Sequence, residues 1–345
     1  MHIRRVILAA AIASIALVPA LDAAHDNYHV TILVSNEVGD APVVDMKLVN
    51  AWGIAASAMS PWWVADNGSG WSTVYTGAGV KTSTEVMVPG APTGIVSNSG
   101  TQFELAPKQP ARFMWASEDG TISAWNPMFD ATHAHVVFPI PLVPGSDSIY
   151  KGLAIHENTL YATDFGKCKV ETLDGTFHEV NTSGGFQDPS IDRRYCPFGI
   201  QANGASIFVS YALKGGMDDV AGISHGFVRE FDVDGNLIAE VGSHGLLNSP
   251  WGMAMAPADG FGEFSGCLLV GNFGDGHINA FCRNDQGMWL PRNQLRDDVK
   301  PVTIDGLWGI GFGNDHASGS TKVLYFAAGP DDEMNGHFGK IELIP

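Results

Sequence analysis

The chain has 345 residues, of which 45% are hydrophobic and only 16% charged, with 41 glycines and a formal net charge of -18. That charge argues against a nucleic-acid partner, whose phosphates would be repelled. Few charges, many glycines and scattered aromatics argue against a helical protein and suit a turn-dense, all-β one.

At the start of the chain, Arg4 and Arg5 precede the apolar run "VILAAAIASIALV", which is too short for a membrane span. Small residues at 18–20 or at Ala23-Ala24 offer a cleavage site, so 1–24 reads as a secretory signal peptide. The expectation is an exported protein, secreted or periplasmic, with 25–345 as one domain, no membrane span and a monomeric state. Cys168, Cys196, Cys267 and Cys282 all lie in the exported part, where disulfides persist. Four cysteines allow three pairings. Cys267–Cys282 is favoured because "CLLVGNFGDGHINAFC" reads as a hairpin with cysteines at its open end, and Cys168–Cys196 follows by elimination.

Next comes the extended stretch 27–36, and then a pattern that repeats. A marker glycine opens an apolar run, followed by two or three more short runs broken by Gly, Asp and Asn turns. The markers are Gly53, Gly94, Gly152, Gly199, Gly252 and Gly309, spaced by roughly 40–60 residues, which is a propeller period. Six copies predict a six-bladed β-propeller of four-stranded blades. The stretch 27–36 is the candidate to complete the last blade and close the ring.

Aligning the copies at the end of the second run gives Asp66, Glu118, Asp164, Tyr211, Asn272 and Ala328. The residues before the marker glycines are Trp52, Thr93, Lys151, Phe198, Trp251 and Trp308. Both sets belong to one mouth of the central channel. Trp52, Tyr211, Trp251 and Trp308 are the ligand-binding candidates, a platform for a sugar ring or a cationic ligand, against the plainer reading of blade-to-blade packing. Two long loops reach the same face, 212–226 and 328–339. They carry Asp218-Asp219 and Asp331-Asp332-Glu333, each followed by a His before Gly, His225 and His337. Loops of this length in a compact ring are binding elements more often than connectors.

The segments "NAWGIA … WWVADNGSGWSTVY", "SEDGTISAW", "YKGLAI", "PWGMAMAP", "LLVGNFGDGHINAF" and "GLWGIGFGN" together resemble an uncharacterised secreted propeller family. They are similar, more distantly, to NHL-repeat and gluconolactonase-type six-bladed propellers. The latter hold a divalent ion at the channel mouth. The resemblance thus implies that Asp66, Glu118, Asp164 and Asn272 converge on calcium or another divalent metal, which favours oxygen ligands. The competing reading is ordinary turn chemistry, with each carboxylate bonded to nearby backbone N–H groups.

Catalytic signals are weak. Lys151 could stabilise an oxyanion, and His225 or His337 could act as general base. His133 and His135 share a strand face without an evident third ligand. "GISHG" lacks the strand–turn–helix context of a nucleophile elbow. The leading functional reading is therefore a propeller binding a small molecule or protein on its loop-rich channel face. The alternative is a divalent-metal-dependent hydrolase of lactonase or esterase type. Side-chain direction separates the two: the four candidate ligands either point at one another or fold back onto their own turns.

Overall fold

The structure is a computed structural model that describes residues 26–139 and 146–344; the expected signal peptide lies outside them. Six small antiparallel sheets are arranged as the blades of a ring. Their inner strands are Ala51–Ala55, Pro92–Ser97, Tyr150–His156, Tyr195–Asn203, Pro250–Met255 and Leu307–Phe312. Each carries a marker glycine. Blade three has three regular strands, and its outer edge is reduced to the bridge between Leu173 and Glu179.

The repeated glycine has a steric cause. A Cβ on Gly252 would stand 2.3 Å from the Trp308 carbonyl oxygen of the next blade, and one on Gly309 would stand 2.6 Å from that of Trp52. Neighbouring inner strands approach so closely that no side chain fits between them. The second of these contacts joins blade six to blade one, so the same requirement runs round the ring. Hydroxyls tie the blades further: Thr93 donates to the Tyr150 carbonyl at 2.8 Å, Thr163 to that of Phe198 at 2.7 Å, and Ser210 to that of Pro250 at 2.6 Å.

The core follows from this geometry. Each pair of adjacent blades encloses its own apolar cluster, and a seventh lies on the ring axis. Ring closure comes from the first strand, Asn27–Ser35, which pairs antiparallel with His337–Ile344, the third strand of blade six. Both expected disulfides form. Cys267 and Cys282 close the blade-five hairpin, with Leu268 opposite Phe281 just inside them. Cys168–Cys196 staples a blade-three turn to the inner strand of blade four. Among the described residues no helix is long and apolar enough to cross a membrane.

Candidate functional site

The residues just before the marker glycines meet on the axis. Trp52 stacks on Trp308 with centroids 3.6 Å apart, Phe273 stacks on the same Trp308 at 3.9 Å, and Trp251 packs edge-on to both tryptophans. Phe165 and Phe198 complete this aromatic plug. Trp52 and Trp308 are each 1% exposed. Trp52 and Trp308 are thus packed as the blade-to-blade reading has it, with their stacked faces covered by one another and by Phe273. Stacked pairs add about 0.5–1.5 kcal/mol beyond area burial. The fourth aromatic candidate, Tyr211, lies in the core between blades three and four, and its hydroxyl donates to the Phe186 carbonyl.

Beside the plug runs a polar belt. Asn50 Nδ2 donates to Glu333 Oε2 of the blade-six loop and, at 3.1 Å, to Asn67 Oδ1. Asn67 Nδ2 donates to Glu118 Oε2 at 2.9 Å. Lys151 Nζ donates to both Glu118 Oε1 and Asp218 Oδ1. One hydrogen-bonded chain thus links blades six, one, two, three and four through Glu333, Asn50, Asn67, Glu118, Lys151 and Asp218. The Lys151 ammonium also lies 5.0 Å from the Trp52 ring centroid, and the carbonyl of Lys151 accepts the Trp251 indole N–H.

Charge is unbalanced along the belt, with three carboxylates and one ammonium. Burial alone would lower the Lys151 pKa, but Glu118 and Asp218 outweigh it and hold the ammonium above its ordinary value. Burial pushes the Glu333 carboxyl up; the Asn50 hydrogen bond opposes it, and the charges of Asp218 and Glu118 add to it, with Lys151 also opposing. Glu333 is held inward by a left-handed turn. Asp331, Asp332 and Glu333 have φ of 57°, 52° and 66°, a conformation that non-glycine residues seldom adopt consecutively and that gathers at functional sites.

The four candidate metal ligands part company here. Only Glu118 joins the belt. Asp66 is fully buried, with Oδ2 accepting from the Thr73 N–H at 3.0 Å. Asp164 Oδ1 accepts from the Ile149 and Lys167 N–H groups at 3.1 and 3.0 Å. Asn272 Nδ2 donates to the Leu246 carbonyl and to Asp275 Oδ1. Each side chain is bonded close to its own turn or to the preceding loop. Nevertheless Asp66 Oδ1, Asp164 Oδ2 and Asn272 Oδ1 are buried without a hydrogen-bond partner among the described residues. Among those residues no group of three or more His, Cys, Asp or Glu has the geometry to hold a metal ion.

The strand register also corrects the alignment of the copies. Asp66 pairs with Ala51, Asp164 with Tyr150 and Asn272 with Pro250, but Pro92 of blade two pairs with Ser117. Ser117 is thus the counterpart of the other three, and Glu118 lies one residue beyond, matching Asn67. That extra step carries both Asn67 and Glu118 out of the sheet and onto the belt.

The histidines lie elsewhere. His225 Nδ1 is 2.9 Å from the Val220 carbonyl of its own loop. His337 sits opposite Ser35 of the ring-closing strand, and its ring pairs with Asp40 in the turn that follows that strand. His133 and His135 are exposed on the outer edge of blade two and share Asp130. Asn50 and Asn67 are the belt members that sequence reasoning passed over. The signal for Asn50 was the position three before the marker glycine, which is Asn50, Ser249 and Gly306 in three blades, all with positive φ.

Fold and belt together define a six-bladed β-propeller with a charged channel mouth on an aromatic floor. No protein-family model matches the chain. It is 31% identical over 334 residues to uncharacterized protein L690 of Acanthamoeba polyphaga mimivirus, covering 91% of this chain and 85% of that one. It is 30% identical over 330 residues to uncharacterized protein R648 of the same virus, covering 91% and 80%. The chain belongs to the family of these two proteins. Among solved structures it is similar to the soluble aldose sugar dehydrogenase of Escherichia coli, with a TM-score of 0.59 and 14% identity over 92% of this chain and 100% of that one. That likeness is one of fold, as is the resemblance to NHL-repeat and gluconolactonase-type propellers.

Proposed function

We propose that the protein is a binding propeller that takes a small cationic ligand at the belt-lined channel mouth. The observation that carries this reading is the belt itself. Glu118 and Asp218 accept from a single ammonium, Glu333 joins them through Asn50 and Asn67, and repulsion by the charges of Asp218 and Glu118 adds to burial in holding the Glu333 pKa up, against Asn50 and Lys151. An added cation relieves that repulsion, and a neutral or anionic ligand does not.

The test is isothermal titration of the protein with calcium chloride and, separately, with 1,4-diaminobutane. The expected result is one saturable site for one of these probes, weakened about tenfold by Glu118→Gln and by Glu333→Gln, as loss of a charge-assisted contact requires. Affinity should rise as pH climbs through the raised native value of Glu333, above its ordinary 4.5, since cation and proton compete for that carboxylate. Binding of neither probe, or binding that both substitutions leave intact, would refute the proposal.

The metal-dependent hydrolase reading retains one specific support, the unpartnered oxygens of Asp66, Asp164 and Asn272. It requires calcium or another divalent ion to bind with loss on Asp164→Ala, together with metal-dependent hydrolysis of a lactone such as dihydrocoumarin.

A further inference from the structure

The loop that brings Asp218 to the belt also carries Met217, Val220 and Ile223, all exposed. Leu246, exposed on the loop that leads into blade five, is tied to them. Ser224 Oγ donates to the Gly245 carbonyl at 3.2 Å, and His244 Nδ1 lies 2.7 Å from the Ser224 carbonyl oxygen. Four water-facing apolar residues thus sit on one bonded pair of loops at the rim of the mouth. On the blade-six loop, Met334, also exposed, directly follows Glu333.

Single exposed apolar residues are ordinary, but several gathered on bonded loops mark an interaction surface. Methionine suits such a surface, because its unbranched thioether adapts to a partner's shape. The acids beside these residues set the partner's charge. Asp218 keeps most of its side chain in water while it accepts from Lys151, and Asp331 and Asp332 are exposed next to Glu333. Nucleic acid or an anionic lipid surface would be repelled by these carboxylates. A free diamine would meet the acids and leave the apolar rim wet. A polypeptide segment can meet both, with a lysine or arginine head at the carboxylates and its apolar stem and aliphatic neighbours against the rim. We infer that the cation taken at the mouth is a lysine or arginine side chain, presented by a polypeptide whose adjoining residues are aliphatic. This rests on the cation-binding reading and names what carries the cation.

Isothermal titration of the purified protein with the peptide acetyl-Gly-Leu-Lys-Leu-Leu-Lys-Leu-Gly-amide tests the inference. Two control peptides carry glutamine for each lysine or serine for each leucine. The expected result is one saturable site for the parent peptide, at least about tenfold tighter than for either control or for 1,4-diaminobutane, and weakened by added salt. Met217→Ser and Ile223→Ser alter residues that are 68% and 74% exposed, so the fold should be kept. Combined, they should weaken the peptide about tenfold and leave the binding of calcium or 1,4-diaminobutane unaltered. Asp218→Asn should weaken peptide and simple cation alike. If a simple cation binds but the peptide binds no tighter than its serine control, or the double variant binds the peptide unchanged, the inference falls and the cation reading stands. Peptide binding that Asp218→Asn leaves intact would also overturn it. If neither the peptide nor a simple cation binds, both fall.

Discussion

Asp66 shows what one buried carboxylate does in this ring. Among the described residues no cation is in hydrogen-bond contact with it, one oxygen is bonded to the Thr73 N–H, and burial pushes its pKa well above the ordinary 3.8, with the Thr73 contacts opposing. The native state therefore keeps this proton to higher pH than the unfolded chain does. Stability contributed by the protonated form is fully present below 3.8 and is lost as pH rises through the raised native value. Asp66→Asn keeps an acceptor for Thr73 and cannot ionise. Its melting temperature, scanned against pH, should exceed that of the parent by a margin that widens from acid toward neutral pH. A loss that instead grows as pH rises would mean the ionised carboxylate has a stabilising partner. At this scale the sequence was only partly informative. An Asp before Asn-Gly reads as turn chemistry, and the bond to Thr73 agrees, but nothing local to 62–75 says that the carboxylate is sealed from water. That depends on strands far away in the chain.

The inner strands tell a clearer story, because a steric rule acts at the same place in each. Backbone packed against backbone admits only glycine at the marker position, so the repeat is visible without any alignment. Gly252→Ala forces a Cβ to within 2.3 Å of the Trp308 carbonyl oxygen. Relief requires two blades to move apart, so the cost should be on the order of 2 kcal/mol, read as a lower urea midpoint with an unchanged slope. A cost under a few tenths of a kcal/mol would show that the inner strands yield easily. The alignment of Glu118 with Asp66 failed at the turn instead. Asp66 pairs with Trp71 across its turn, whereas Ser117 bonds to Thr121, so the turn of blade two is one residue shorter. Matching Glu118-Asp119-Gly120 to Asp66-Asn67-Gly68 by residue chemistry hides that difference, so the four-oxygen site looked coherent in sequence and is divided in space. The belt, in contrast, was half legible: both acidic loops were marked by their length and composition, but their meeting at Lys151 and Asn50 is set by the ring.

For the whole molecule, the closing strand decides integrity. Asn27 pairs with Ile344, so the first and last strands begin and end side by side. A circular permutant joining these ends by a linker of about four residues, and opened in the exposed turn at 284–287, should fold with a melting temperature within about 5 °C of the parent. A chain lacking 27–35 should elute as aggregate, since blade six then offers an unpaired edge. Failure of the permutant while the truncated chain stays monodisperse would show that the ring does not depend on this pairing. The number of blades and the manner of closure were readable in advance, because both follow from backbone demands repeated six times. The belt at the channel mouth was not, because it arises from residues brought together only once the circle is complete.

That pairing also imposes an order in time. The strand at 27–35 is among the first parts of the ring to be synthesised, yet its partner at 337–344 is among the last. At ~5–20 residues per second the interval is roughly 15–60 s. Throughout it, a β-strand rich in valine, isoleucine and leucine has no native neighbour. The protein is thus most vulnerable to misassembly before its last blade exists, and its survival during synthesis depends on how well that one segment is kept from pairing with another chain.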